Sequence, residues 1–179
     1  MPSGRQRIYL AYGSNLHPRR LEARVGPADI LGTVALPGWQ LRFDKRGGDG
    51  SAKANLRPCP GGAQTVHAAL FALYPEQVGR LDVFEGCGRG YETFLMNVEH
   101  AGQELDVFTY LAPSQWRSDA VLPFDWYVDL IAAGARFHGF DESYIQQIAR
   151  HSSRKDPDVN RARSALLGMR LPLRRPYRE

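Results

Sequence analysis

The chain is poor in cysteine. Only Cys59 and Cys87 occur in 179 residues. They are far apart and form no CxxC unit, which argues against a metal clip or a disulfide framework. No run approaches the roughly 18 consecutive apolar residues of a membrane helix. The leading "MPSGRQR" has no apolar core, so a signal peptide is not expected and a cytoplasmic protein is. The five histidines, His17, His67, His100, His138 and His151, show no metal-ligand spacing. P-loop and dinucleotide glycine patterns are also missing, and there are no internal repeats.

What is present is ordinary for a globular domain: 43% hydrophobic and 23% charged residues. The net charge of +4 is unevenly placed. From Arg150 onward there are nine Lys/Arg and three Asp/Glu; the rest of the chain is slightly acidic. This divides the chain into residues 1–150, one globular domain, and 151–179, a basic C-terminal extension. A basic arm could contact nucleic acid, but this one lacks the interleaved aromatics of a single-strand binder. The plainer expectation is a solvated terminal segment, with nucleic acid and membrane both absent as partners. A homodimer stays open.

Residues 7–12, "RIYLAY", predict a strand apolar on both faces, hence central in its sheet. "GSN" interrupts it, and "HPRRLEARVG" predicts a short helix with Pro18 in its first turn and Gly26 as cap. Residues 28–36, "WQLRF", "ANLRP" and 65–74 predict further strands. Between two of them, "DKRGGDGSAK" reads as a polar glycine-rich loop. "PEQVGRLDVFEG" predicts a helix burying Val78, Leu81 and Phe84 and ended by Gly86. "YETFLMNVEH" and "LDVFTYLA" predict a hairpin. "PFDWYVDLIAAGA" and "DESYIQQIAR" predict two amphipathic helices, the second capped by Asp141. About six strands with helices inserted at intervals imply an α+β fold, its mixed sheet curled into a barrel.

Three groups of residues could carry chemistry. Gly13, Ser14 and Asn15 end a strand and enter a helix, where free N–H groups bind carboxylates or oxyanions. Glycine there permits close approach or positive φ. Glu85 stands at a helix C-terminus beside "LDVF". The dipole's negative end and apolar neighbours would both favour its protonated form, suiting it to proton transfer. Tyr9, Tyr12, Tyr91, Tyr110 and Tyr127 border these segments; most are expected in the core with one satisfied hydroxyl. Cys87 is a weaker nucleophile candidate, with no histidine near it in sequence.

Together, "YLAYGSNL" at 9–16, "LDVFEGCGRGY" at 81–91, "FTYLA" at 108–112 and "WYVDLIAAGA" at 126–135 resemble the gamma-glutamylcyclotransferase family, in consistent order over roughly residues 7–150. The resemblance implies a mixed β-barrel of five to six strands flanked by helices. It implies cyclisation of a gamma-glutamyl group to 5-oxoproline with release of an amine, and no cofactor or metal. It implies Glu85 as the catalytic base. Tyr9, Leu10, Ala11, Tyr12, Gly13 and Ser14 become a substrate-binding segment through backbone N–H groups, and Tyr127 a substrate contact. Asn15 becomes a brace for the loop. Related branches resemble YGSL for glutathione and YGTL for gamma-glutamylamines. Asn15 after "YGS" favours gamma-glutamyl amino acids as the small-molecule substrate. The same cyclisation on another gamma-glutamyl donor, and a non-catalytic anion-binding module, remain the alternative readings.

Overall fold

A computed structural model describes residues 4–167 and 169. Seven strands and five helices follow in the order β1 (Arg7–Ala11), α1 (Pro18–Val25), β2 (Asp29–Pro37), β3 (Trp39–Arg46), β4 (Ala52–Pro58), β5 (Thr65–Leu73), α2 (Pro75–Glu85), β6 (Glu92–His100), β7 (Gln103–Leu111), α3 (Asp125–Phe137), α4 (Glu142–Ala149) and α5 (Val159–Leu167). A single 3-10 turn, Ser14–Leu16, links β1 to α1.

Five strands form one sheet in the order β2-β5-β1-β7-β6, with β3 and β4 as a separate ribbon. β1 runs parallel to β7 and antiparallel to β5, so the sheet is mixed. It curls into a half-barrel. Its edge strands β2 and β6 come near each other, with Gly32 against the His100 ring. β1 lies in the middle, as its two apolar faces require. Leu10 and Ala11 are wholly buried and Tyr9 nearly so.

Local expectations were met unevenly. Each of the expected strand segments forms a strand, and the two of the ribbon run longer than their hydrophobic pattern. Asp44 and Lys45 lie within β3, and only a tight turn at 47–51 remains of the expected loop. Asp44 is buried there, accepting from Asn55 Nδ2 at 2.9 Å and pairing with Arg57 at 3.2 Å. Asn55 Oδ1 in turn accepts from the Ala112 N–H. A polar residue read as loop is thus a buried, satisfied anchor. Asp141 occupies the position before α4 but makes no side-chain capping bond. Phe84, expected on the buried face of α2, is 56% exposed and lies beneath the Arg24 guanidinium at 5.5 Å.

The described part of the C-terminal segment is not a solvated arm. Arg154 exchanges backbone bonds with Pro123 and Asp125 at the entrance to α3. Asp156 is buried and accepts from the Trp126 indole at 2.8 Å and from Arg161 Nε at 2.7 Å. Ala162 and Leu166 of α5 are fully buried, and α5 packs on α3. Arg170 to Glu179 lie outside the described residues. No helix among the described residues is long and apolar enough to cross a membrane.

α3 fixes the turn that follows β1. A Cβ at Gly134 would lie 2.7 Å from the His17 backbone nitrogen and 3.0 Å from the Leu16 carbonyl carbon. Only glycine lets the helix approach so closely. His138 Nε2 reaches the Leu16 carbonyl at 2.8 Å. His17 packs on Phe137, and its Nδ1 is buried without a partner. Burial lowers the pKa of both histidines below 6.5. The charge of Arg19 adds to this at His17, while the bond to Leu16 opposes it at His138.

Two outcomes follow from this packing. Leu166→Ala should cost about 2–5 kcal/mol, as full burial of a leucine implies; a thermal midpoint unchanged from wild type would show that α5 is not docked. For the histidines the unfolded chain binds protons more readily than the folded one, so stability is lost as pH falls through 6.5 and below. The urea midpoint should therefore drop between pH 7.5 and pH 5.5. The drop should shrink in the His17→Asn/His138→Gln double variant.

Candidate active site

The turn after β1, the C-terminus of α2 and the ribbon strand β4 meet at a pocket. Its walls are Tyr9, Tyr12, Gly13, Ser14, Asn15, Ala54, Glu85, Tyr91, Tyr110 and Tyr127. About 280 Å³ of space lies among them, counting the open mouth.

Gly13 has φ −108°, so it is not there for a left-handed backbone. A Cβ on it would stand 3.0 Å from the Ala54 Cβ. Glycine therefore lets β1's turn lie close against the ribbon. The expected helix start at Ser14 is instead the 3-10 turn, closed by the Leu16 N–H to the Gly13 carbonyl at 3.0 Å. α1 begins only at Pro18.

Glu85 is the last residue of α2, and Gly86 ends the helix in the left-handed conformation. The apolar setting expected for Glu85 is not what surrounds it. Val83 and Phe84 face outward. Its Oε1 accepts from Arg24 Nη1 and from Asn15 Nδ2, each at 2.8 Å. Arg24 Nη1 also donates to Asn15 Oδ1 at 2.8 Å, and Asn15 Nδ2 to the Tyr9 hydroxyl at 3.0 Å. Both charged side chains are mostly shielded, at 15% and 13% exposure. Oε2 makes no hydrogen bond to a described residue and is the oxygen left for a ligand.

The tyrosine hydroxyls divide by where their protons go. Tyr12 donates to the Tyr110 carbonyl at 2.6 Å, Tyr91 to the Ala54 carbonyl at 2.5 Å, and Tyr110 to Asp82 at 2.6 Å. Tyr127 instead accepts from the Ala54 N–H at 3.1 Å, and Tyr9 accepts from Asn15. Their own protons remain to donate, and both line the pocket. Burial, and then the Glu85 charge, raise the pKa of Tyr9 far above 10. Burial raises that of Tyr127 to about 12, with the Ala54 bond working against it. Both phenols are donors at neutral pH.

Of the residues singled out in the sequence, Tyr9, Tyr12, Gly13, Ser14, Glu85 and Tyr127 share this pocket. Leu10 and Ala11 do not line it; their side chains belong to the core. Cys87 is exposed, with its sulfur 3.6 Å from the Thr93 hydroxyl, and lies outside the lining. Sequence reasoning missed Arg24, which stands 61 residues from Glu85 in a helix read only for its apolar spacing. Arginine at the buried side of a short helix was the available signal. Among the described residues no group of three His, Cys, Asp or Glu side chains could hold a metal.

Comparison with known proteins agrees with this architecture. Residues 65–148 match the AIG2-like family. A protein named gamma-glutamyl cyclotransferase aclK, from Aspergillus oryzae, is 29% identical over 163 residues, covering 78% of this chain. The chain spans 59% of the length of that relative. A solved structure named gamma-glutamyl cyclotransferase superposes with a TM-score of 0.74 at 22% identity, over 83% of this chain and 89% of that one. An uncharacterized protein from Homo sapiens gives the same TM-score and identity, over 84% and 90%. YkqA from Bacillus subtilis gives 0.67 at 24% identity, over 84% of this chain and 56% of that one. The chain thus has the fold of a solved structure named gamma-glutamyl cyclotransferase, and its residues 65–148 match the AIG2-like family.

Proposed function

We propose that the protein cyclises the gamma-glutamyl group of gamma-glutamyl amino acids to 5-oxoproline and releases the amino acid, with Glu85 moving the proton. The observation that carries this is Glu85 itself. One carboxylate oxygen is locked by Arg24 and Asn15, and the other is left for a ligand in a pocket walled by the 9–15 turn.

The chemistry is balanced without a redox step. The substrate's α-amine begins as an ammonium and cannot attack. Glu85 Oε2 takes its proton. The amine then attacks the γ-amide carbonyl carbon, forming the ring C–N bond, and the carbonyl electrons move onto oxygen. When the oxyanion collapses, the amide C–N bond breaks. The departing nitrogen takes this proton from Glu85. Glu85 then accepts the second proton still carried by the ring nitrogen and passes it to the released amine, which leaves as an ammonium. The lactam is left neutral and the Glu85 carboxylate ionised. Proton transfer of this kind is worth about 10²–10⁴-fold in rate.

The pocket has groups for the remaining demands. Tyr127 and Tyr9 each accept a hydrogen bond and have protons to donate to the developing oxyanion. Backbone N–H groups of the 9–14 segment suit the glutamyl α-carboxylate. The reacting groups belong to one molecule, so the walls need only hold the folded conformer.

The test is release of 5-oxoproline from gamma-glutamyl-alanine. Glu85→Gln keeps the shape and both donor contacts but cannot take a proton. Its kcat should fall about 10²–10⁴-fold, and wild-type turnover in this variant would remove Glu85 as the base. Tyr127→Phe should lower kcat about 10²-fold with a smaller change in KM, as loss of an oxyanion donor does.

A further inference from the structure

The half-buried Lys45 is unexplained by the fold. It follows a register shift between Phe43 and Lys45 in the β3–β4 ribbon. Such bulges re-aim side chains. Here the ammonium lies 4.9 Å from the centre of the Tyr91 ring, and Tyr91 is a wall of the pocket. Room for it is made at Gly90, where a Cβ would stand 2.9 Å from Lys45 Nζ. The nearby carboxylates are already engaged. Asp49 bonds Lys53 and Ser51, and Glu85 bonds Arg24 and Asn15. Lys45 makes no salt bridge to a described residue, although the charges of Glu85 and Asp49 reach it.

We infer that Lys45 binds the carboxylate of the departing amino acid and so selects gamma-glutamyl amino acids over gamma-glutamylamines. This rests on the cyclisation proposed above. In that reaction the α-ammonium goes to Glu85 and the glutamyl α-carboxylate to the turn. The leaving residue's carboxylate is the charge still lacking a partner. Lys45 is a half-buried cation against the outer side of a pocket wall, over the Tyr91 face, which shields one side of it from water. Arg20 is another cation near the pocket with no carboxylate partner among the described residues; its Nε is buried and unbonded, and it is the rival that the experiment must separate from Lys45.

The experiment compares kcat/KM for gamma-glutamyl-alanine and gamma-glutamyl-ethylamine, which differ by the carboxylate alone. Wild type should prefer the alanine conjugate by about tenfold, the effect of one charge-assisted contact. Lys45→Met, which keeps the stem over Tyr91, should abolish that preference while leaving the ethylamine conjugate within about twofold. Lys45→Arg should keep it. Equal losses on both conjugates in Lys45→Met would overturn the assignment, because Lys45 would then act on Glu85 or on folding. So would loss of the preference in Arg20→Met with Lys45→Met unchanged. If wild type releases 5-oxoproline from neither conjugate, the cyclisation fails and the subsite falls with it, an outcome distinct from turnover that ignores Lys45.

Discussion

The Arg24–Glu85 contact is where three parts of the chain are tied together. α1 supplies the guanidinium, α2 the carboxylate, and the turn after β1 the Asn15 side chain between them. Both partners are shielded enough for the pair to resist the screening that makes surface ion pairs weak. Removing Arg24 would leave a carboxylate at a helix C-terminus, beside the helix's own carbonyls, with one donor fewer. The geometry of the pocket depends on this junction, because it sets where α2 ends relative to the strand that carries Tyr9 and the turn that carries Tyr12 and Gly13.

The second organising feature is a rule of proton counting. Five tyrosines surround the pocket, and burial keeps all of them protonated. Three hydroxyls send their protons into carbonyls or Asp82 and so act as struts. Two receive a proton from a neighbour and keep their own. Identical side chains thus divide into scaffold and candidate donors by the direction of one hydrogen bond. The proposed electrophilic role of Tyr127 follows from the Ala54 N–H pointing at it.

The fold was legible where pattern and burial coincide. β1 reads as central because both its faces are apolar, and it is central. α2 ends where Gly86 says it should. The pattern misled where polar residues are buried. Asp44 looks like loop but anchors the ribbon through Asn55 and Arg57, since a buried carboxylate with donors leaves no hydrophobic trace. The basic composition of residues 151–179 hid an apolar face, Ala162 and Leu166, that docks on α3.

The sequence by itself determined the elements and most of the site's residue types: the Gly13-Ser14 break after an apolar strand, Glu85 at a glycine-ended helix, and tyrosines at the flanks. These are local facts, readable from periodicity and neighbours. Only the tertiary structure decided which of them meet and in what state. Arg24 finds Glu85 across 61 residues, and Tyr127 finds Ala54 across 73. Gly134 admits the turn to the face of α3. Such pairings depend on how the sheet curls and where helices dock, and no short-range pattern records them.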